Sequence, residues 1–290
     1  MTENEYLTTR ELAELLRIKE RKVYDLAASG EVPCTRATGK LLFPRRAVKA
    51  WLDSHASGAG AAAAATRPAV FLGSHDPLLE WALKESGSGL ASFFDGSLDG
   101  LERFTAGDGI AAALHLYERG GTWNREHVAG RLAGQPVVLV EFCWRQRGLI
   151  TAPGEDRISG IADLKGRRLA PRQPRAGSQI LLLELLAAES IGTDEVTFCR
   201  TAHTETDLAA AVFAGEADAA LGLEGPARRY RLDFLPVIRE RLDLVVDRRA
   251  WFEPPFQAFI RFCVADAFAA RAAELGGYDV SGLGNVHFNG

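Results

Sequence analysis

Cysteine is scarce in this chain, and no two cysteines are close together. The four cysteines of the 290-residue sequence are Cys34, Cys143, Cys199 and Cys263, and none belongs to a Cys-x-x-Cys pair. This spacing argues against a zinc site and against a disulfide framework, and it is typical of a protein from a reducing compartment. We therefore predict no metal site.

Long apolar runs are also missing. No stretch reaches the roughly 18 apolar residues of a transmembrane helix, and the acidic start MTENEYLTTRELAELL lacks the apolar core of a signal peptide. From these two absences we expect a cytoplasmic protein with no membrane partner.

The common catalytic motifs are absent as well. The sequence contains no G-x-S-x-G, Walker A, H-E-x-x-H or G-x-G-x-x-G motif. Ser74, His75 and Asp76 are the residue types of a hydrolytic triad, but adjacent residues cannot form a relay, which needs groups from separate segments. We therefore expect no catalytic residues, no cofactor and no enzymatic activity.

Basic residues are concentrated near the start of a chain whose formal net charge is −4. The segment from Arg10 to Lys49 contains ten lysines and arginines against five acidic residues, which leaves +5 there and −9 over the remainder. A small basic segment attached to an acidic body indicates a nucleic-acid-binding module joined to a second domain.

The basic segment has the pattern of two short helices. Thr8 and Glu11 form a capping box, and Leu12, Leu15 and Leu16 then give an apolar face. A second helix is predicted from Glu20 to Ser29, with Val23 and Leu26 inward and with Gly30 and Pro33 as stop signals.

A hairpin and a third helix follow. The words CTRATGKLLFP predict a β-hairpin with Thr38-Gly39-Lys40 at its tip, and RRAVKAWL predicts a helix with Val48 and Trp51 inward.

This order resembles the excisionase/MerR-type winged helix-turn-helix domain, from Tyr6 to Leu52. The resemblance rests on the segments LTTRELAELL, VYDLAASGEVP and FPRRAVKAWL. It implies a recognition helix that enters the major groove of double-stranded DNA and basic side chains that contact phosphates. The residues implied are Lys19, Arg21, Lys22 and Tyr24 on or beside that helix, and Arg36, Lys40, Arg45 and Arg46 on the wing or its exit. The alternatives are that these charges only solvate a surface and that Tyr24 packs beside Val23. One such domain reads a short half-site, so we expect a homodimer.

A low-complexity segment, SHASGAGAAAAATRP, separates this head from the body. We predict a DNA-binding domain at 1–53, a linker at 54–67 and a ligand-sensing domain at 68–290. Short apolar runs alternate with helical patterns in the body, which predicts an α/β architecture with a mostly parallel sheet.

Polar residues follow four predicted strands at the point where a helix begins. They are Gly73-Ser74-His75-Asp76, Asp95-Gly96-Ser97, PRQPRAGSQ from Pro171 to Gln179, and TAHTETD from Thr201 to Asp207. Helix N-termini expose N–H groups and bind anions, and such junctions gather in the crevice beyond the carboxyl ends of the strands. Helix capping alone also explains any one of them, and Asp76 is predicted to be a cap.

The body resembles the periplasmic-binding-protein-like domain that follows helix-turn-helix heads in prokaryotic regulators, from about Pro68 to Leu275. The resemblance rests on the segments GSHDPLL, GSLDGL, ALHLY, RQRGLI, GIADLKGRRLAPRQPRAGSQILLLELL, AHTETDLAAAVFAGEADAALGLEGPAR and LDFLPVIRERLDLVV. The resemblance implies a type II fold with two α/β lobes joined by crossing strands. It is similar to molybdate- and tungstate-binding proteins and to LysR-type effector domains.

The resemblance also implies an oxyanion, molybdate or tungstate, in the cleft between the lobes. The ligand-binding residues implied are Gly73, Ser74, His75 and Ser97 from lobe one, and Gly177, Ser178 and Thr204 from lobe two. His75 has the alternative of a local hydrogen bond, and Arg172 and Arg175 either contact the anion or line the surface. The chain departs from the family at Arg175 and Gln179, and Glu205 places a carboxylate beside the site.

Together these features predict a one-component transcription regulator that senses a small oxyanion. The alternatives are a regulator that responds to a small organic anion and an oxyanion-binding accessory protein of molybdenum or tungsten cofactor assembly.

Overall fold

The computed structural model describes residues 5–36, 39–54, 67–118 and 120–290. The chain divides into two compact units, Met1–Thr66 and Arg67–Gly290, which we call the N-terminal and the C-terminal unit. Most of the predicted linker, residues 55–66, lies outside the described residues. Within the described ranges, no helix combines the length and the apolar character that a membrane crossing requires.

The N-terminal unit has the predicted three helices. Its elements are β1 (Tyr6–Thr8), α1 (Thr9–Leu16), α2 (Glu20–Ala28), β2 (Leu42–Pro44) and α3 (Arg45–Ser54). The capping box is confirmed, because the Glu11 N–H donates to Thr8 Oγ1 (3.3 Å) and the Thr8 N–H donates to Glu11 Oε2 (2.7 Å). Leu12, Val23 and Val48 are buried as predicted, whereas Leu15 is 51% exposed and does not belong to the apolar face.

The sheet of the N-terminal unit differs from the predicted hairpin. β2 pairs antiparallel with β1, with Tyr6 opposite Pro44. One isolated bridge between Thr35 and Leu42 is the described part of the hairpin, since residues 37–38 lie outside the described residues. A three-residue strand such as β1 is too short to show alternation in the sequence, so the prediction missed it.

The C-terminal unit begins with one α/β lobe. Its elements up to the first long strand are β3 (Val70–Gly73), α4 (Pro77–Glu85), β4 (Ala91–Phe94), α5 (Ser97–Ala106), β5 (Ala111–Leu114), β6 (Tyr117–Glu118), β7 (Thr122–Trp123) and α6 (Arg125–Leu132). The strand β8 (Val137–Thr151) then leads into the second lobe.

The second lobe and the return to the first make up the rest of the chain. The elements are β9 (Arg168–Ala170), α7 (Gly177–Ala188), β10 (Thr197–Phe198), α8 (Glu205–Phe213), β11 (Ala219–Leu223), α9 (Glu224–Arg229), β12 (Asp233–Asp247), α10 (Arg248–Trp251), α11 (Pro254–Cys263), α12 (Asp266–Leu275), β13 (Tyr278–Asp279) and β14 (Val286–Asn289). Short 3₁₀ turns occur at Ile161–Leu164 and Thr193–Glu195.

One mixed sheet runs through both lobes in the order β10-β9-β11-β8-β12-β5-β3-β4, with β13 and β14 also paired to β8. The shorter strands at each end of this sheet are parallel, as in β3 with β4 and β5, and in β9 with β10 and β11, whereas β6 and β7 form a separate antiparallel pair. The 15-residue strands β8 and β12 pair antiparallel and connect the lobes. The two-lobed α/β fold with crossing strands is therefore confirmed, while a mostly parallel sheet is wrong because both crossing strands are antiparallel to their neighbours.

The apolar core is divided between the lobes. One cluster, with Phe71, Phe142 and Phe259, packs α4, α11 and α12 against lobe one, and another, with Leu169 and Leu182, lies in lobe two. The helical pattern PPFQAFIRFCVADAFAARAAEL forms two helices, α11 and α12, because Ala265 adopts an extended backbone at φ −82° and ψ 153°.

Candidate functional site

Two of the polar junctions meet in lobe one. The Ser74 and Ser97 hydroxyls lie 2.7 Å apart, and the His115 N–H donates to Ser97 Oγ (3.2 Å). Both serines are buried. Gly73, which precedes Ser74, has φ +99°, and a Cβ there would lie 2.3 Å from the Ala113 carbonyl oxygen. This junction therefore needs glycine to let β3 approach β5 so closely.

The first turn of α7 brings lobe two to the same place. A Cβ on Gly177 would lie 2.6 Å from the His115 carbonyl oxygen, and one on Gly96 would lie 3.3 Å from Ala176. The Leu98 N–H also donates across the lobes to the Arg175 carbonyl (3.3 Å). Ser178, the next residue of α7, is buried, and its hydroxyl has no hydrogen-bond partner among the described residues. We call Ser74, Ser97 and Ser178 the serine cluster.

Thr204 and His75 have local partners. Thr204 caps α8, since its Oγ1 accepts from the Asp207 N–H (3.0 Å) and its own N–H donates to Asp207 Oδ2 (2.9 Å). His75 lies with Nε2 3.1 Å from Glu80 Oε2, while its buried Nδ1 has no partner within the described part of the chain. A ligand role for either residue stays a prediction.

Asp76 is confirmed as the cap of α4, and it also makes contacts that the sequence did not suggest. Its Oδ1 accepts from the Leu79 N–H (2.8 Å). Its Oδ2 accepts from Arg145 Nη1 (2.5 Å) and from the Tyr278 hydroxyl (2.8 Å). This carboxylate is completely buried, so its charge is held by the Arg145 guanidinium.

Asp76 belongs to a buried ion network between the lobes. Its members are three arginines and three carboxylates: Asp76, Arg145, Arg147, Arg172, Glu205 and Glu240. Glu240 Oε1 of β12 accepts from Arg145 Nε (2.6 Å) and lies 2.8 Å from Arg147 Nη2, both on β8. Glu205 Oε1 of α8 accepts from Arg147 Nη2 (3.0 Å) and Arg172 Nη1 (3.1 Å).

The network explains why an acidic residue is tolerated at the fourth junction. Burial alone would raise the pKa of Glu205, but Arg147 and Arg172 lower it to about 2. Burial likewise opposes ionisation of Glu240, and Arg145 and Arg147 keep its pKa well below the ordinary value. Both carboxylates are therefore ionised and paired with arginine, and Arg172 pairs with Glu205 in the interior instead of lining the lobe surface.

His115 links this network to the serine cluster. Its Nδ1 lies 3.2 Å from Glu240 Oε2, and its backbone contacts Ser97 and Gly177 as described above. Burial lowers the pKa of His115, which the Glu240 carboxylate opposes, so the imidazole is neutral at pH 7.

The sequence offered one unused signal for this network. Arg145 and Arg147 alternate within the predominantly apolar strand β8, so they share one face of it. Two like charges on a buried face require opposite charges nearby, but their partners come from distant segments.

The predicted DNA-binding residues lie at the surface of the N-terminal unit. Lys19, Arg21 and Lys22 are exposed at the start of α2. Tyr24 is 52% exposed and does not pack into the core beside Val23. Arg36, Lys40 and Arg46 are exposed and Arg45 is half-buried. Tyr24, Arg36 and Lys40 line one surface depression together with Thr8 and Thr9 at the start of α1.

Comparison with known families and structures gives two domain matches. The model of the helix-turn-helix domain family matches residues 6–56, and the model of the PBP superfamily domain matches residues 80–264. "Uncharacterized protein YvgK" of Bacillus subtilis is 26% identical over 306 aligned residues and covers 99% of each chain.

Two solved structures share the fold of the C-terminal unit. A putative phosphate ABC transporter substrate-binding protein of Clostridium perfringens with bound phosphate has a TM-score of 0.52 at 12% identity, over 71% of this chain and 96% of that one. The regulatory domain of MetR, a LysR family regulator of N. meningitidis, has a TM-score of 0.51 at 12% identity, over 72% and 97%. At these identities the likeness concerns the fold.

Proposed function

Since this chain belongs to the PBP superfamily over residues 80–264 and carries a helix-turn-helix domain ahead of it, we propose that it is a one-component transcription regulator. The helix-turn-helix domain implies DNA binding, and the PBP-like domain implies a small-molecule ligand. Molybdate or tungstate is the ligand that we favour, and the regulator works as a cytoplasmic homodimer. Ligand binding between the lobes changes how the N-terminal units engage DNA.

The serine cluster is the observation that carries the oxyanion proposal. The Ser74 and Ser97 hydroxyls lie 2.7 Å apart beside the start of α5, and the close approach of Gly96 to Ala176 brings the start of α7 near them, where helix N–H groups add donors. The buried Ser178 hydroxyl lacks a partner, and an oxyanion bound there would supply one.

The charges near the serine cluster favour a fully ionised oxyanion. A carboxylate without a cation would repel a dianion, but Asp76, Glu205 and Glu240 are each paired with arginine. A phosphate that keeps a proton would gain from an acceptor-only carboxylate, but both oxygens of Asp76 and of Glu205 already accept hydrogen bonds. Molybdate and tungstate carry no proton at neutral pH and suit a site made of hydroxyls and N–H groups.

A thermal shift series tests the ligand. Molybdate or tungstate should raise the Tm of the full chain more than phosphate does, because a ligand that binds only the folded state stabilises that state. Ser97→Ala should abolish the shift, while Ser92→Ala, an exposed serine on β4, should leave it intact. An unchanged Tm with molybdate, tungstate, sulfate and phosphate would contradict the oxyanion and favour a small organic anion.

DNA binding separates the regulator from an oxyanion-binding accessory protein of molybdenum or tungsten cofactor assembly. We expect salt-dependent binding to a palindromic site near the protein's own gene, and Arg21→Ala with Lys22→Ala should weaken it strongly. Glu20→Ala, also exposed at the start of α2, is the matched control. If no genomic fragment is bound above the level of random DNA, the accessory role replaces the regulator.

A further inference from the structure

A second concave site lies on the C-terminal unit, and its lining includes none of the three serines of the serine cluster. Helices α4, α9 and α12 line an open cavity of about 560 Å³, which we call the flank cavity. Its lining includes Trp81, Arg228, Arg229 and Arg271, and His75 is the residue of the predicted ligand set that contributes to it. This volume is in the range of sites for small organic ligands and far exceeds the needs of a tetrahedral oxyanion.

The flank cavity has an excess of positive charge. Lys84 pairs with Glu80 (2.7 Å), Arg271 with Glu274 (2.6 Å) and Arg228 with Glu224 (2.5 Å). Arg229 lies in the same wall and is exposed, without an ion pair to any described residue. Its guanidinium is therefore available for a bidentate contact with a phosphate or carboxylate.

The same cavity offers an aromatic surface. The Trp81 ring packs against Phe262 at 5.2 Å, and the Arg271 guanidinium lies 5.8 Å from its centroid. His75 is nine-tenths buried, with its Nε2 beside Glu80 and its Nδ1 unpartnered. Nδ1 has almost no accessible surface, so His75 forms part of the cavity wall and offers no hydrogen-bonding atom to a ligand.

We infer that the flank cavity binds an organic anion that joins a flat ring to a phosphate or carboxylate group. Arg229 holds the anionic group and Trp81 stacks on the ring. This site stands independently of the oxyanion proposal, because it uses none of the three serines. It spans α4 of lobe one and α9 of lobe two, so its occupant also bears on how the lobes sit together.

Calorimetric titration of the full chain with three related probes, and with 1-naphthyl phosphate as a second ring-bearing phosphate, tests this site. Adenosine 5′-monophosphate has the ring and the phosphate, adenosine lacks the phosphate, and ribose 5-phosphate lacks the ring. We expect the monophosphate to bind most tightly of the three. No binding of adenosine 5′-monophosphate or of 1-naphthyl phosphate at millimolar concentration would overturn the proposal.

Variants locate the bound probe. Arg229→Ala should weaken the monophosphate about tenfold or more through the loss of a charge-assisted contact. Trp81→Leu should weaken it about fivefold and leave ribose 5-phosphate unchanged, since only the ring stacks. Arg125→Ala, an exposed arginine on α6, is the matched control.

The serine cluster supplies the decisive comparison. Ser97→Ala should leave binding of the monophosphate unchanged even where it abolishes the molybdate response. Loss of monophosphate binding in Ser97→Ala, with Arg229→Ala unaffected, would mean that the phosphate sits in the serine cluster, and the flank cavity would then be rejected. A failed molybdate response with intact, Arg229-dependent monophosphate binding would reject the oxyanion and retain the cavity.

Discussion

Single residues decide whether the interior between the lobes holds together. Arg147 has no exposed surface, and its neighbours Glu205 and Glu240 are equally buried, so each charge depends on the others. A buried pair adds little net stability over an apolar pair, but removing one partner leaves an uncompensated charge. Removing a carboxylate of this network therefore costs more stability than the intact ion pair contributes over an apolar pair.

Glu205→Ala should be strongly destabilising. The substitution leaves Arg147 and Arg172 buried without their shared carboxylate, and we expect a loss of about 3–5 kcal/mol in the free energy of unfolding. Urea denaturation measures the change, with the exposed Glu189→Ala as a control that should stay within about 0.5 kcal/mol of the wild type. A loss of unfolding free energy no larger than that of the control would show that Arg147 and Arg172 are not paired with Glu205 in solution.

Asp243 should give the stability a pH dependence of its own. Burial raises the pKa of Asp243 to about 6, against the opposing effects of Arg241 and Asn124. Between its unfolded pKa and pH 6 the folded state holds a proton that the unfolded state lacks, so this contribution is present at low pH and is lost as pH rises through 6. From pH 5 to pH 7 the loss is about 1 kcal/mol.

Asp243→Asn isolates that contribution. The variant cannot titrate at this position, so its urea midpoint should decline less than that of the wild type between pH 5 and pH 7. Asp247→Asn serves as a control on the same strand, at the start of α10. Parallel pH profiles for Asp243→Asn and the wild type would mean that Asp243 is ionised throughout.

At the scale of elements, the crossing strands show what the sequence could and could not predict. The apolar segments VVLVEFCW and LDLVVD are among the short apolar runs of the body and indicate parts of β8 and β12, but each strand extends through charged residues to 15 residues in all. From the sequence alone, Arg145, Arg147 and Glu240 would be assigned to the surface, because charged side chains are rarely buried unless they are paired. Their pairing depends on segments about 60 to 95 residues apart, which local periodicity does not record.

The polar junctions were predictable for a different reason. Ser74, Asp76, Ser97, Ser178 and Thr204 all lie at or beside helix starts, as their residue types and positions indicated. What the sequence could not tell is which hydroxyls cap their own helix, as Thr204 does, and which meet across the lobes. That distinction depends on close backbone approaches such as those at Gly73 and Gly177.

Arg175 is predicted to stabilise the contact between the two lobes at the edge of the cleft. It extends from lobe two to two acids of α5 in lobe one, Asp99 and Glu102. Arg175→Glu replaces these attractions with repulsion, so the Leu98 amide, which donates to the Arg175 carbonyl, should exchange its hydrogen faster. Hydrogen–deuterium exchange of the segment 95–101 in the full chain measures this opening.

Charge reversal supplies the control for Arg175. Arg175→Glu combined with Asp99→Arg restores one opposite-charge pair and should slow the exchange again. Arg157→Glu, whose wild-type partner Glu155 lies in the same lobe, should leave segment 95–101 unchanged. Fast exchange in the combined variant would mean that the side-chain pairs do not hold the lobes.

At the scale of the whole molecule, the proposed regulator requires a free-energy coupling between two separate units. The proposed ligand site lies within Arg67–Gly290 and the proposed DNA-binding residues within Met1–Thr66, so any effect of molybdate on DNA binding must pass between them. Such couplings are reciprocal and usually change affinity by about 5–150-fold. We therefore expect molybdate to shift the Kd for operator DNA by a factor in that range, and operator DNA to shift the Kd for molybdate by the same factor. Fluorescence anisotropy at fixed salt measures the first, and calorimetry measures the second.

Ser97→Ala separates coupling from DNA binding itself. The substitution removes one hydroxyl of the serine cluster and none of the residues at the start of α2, so the variant should bind operator DNA as the ligand-free wild type does and should ignore molybdate. Ser92→Ala should behave as the wild type in both assays. If Ser97→Ala still responds to molybdate, the anion acts at another site. If DNA and molybdate change each other's affinity by unequal factors, the two sites are not linked through a single equilibrium.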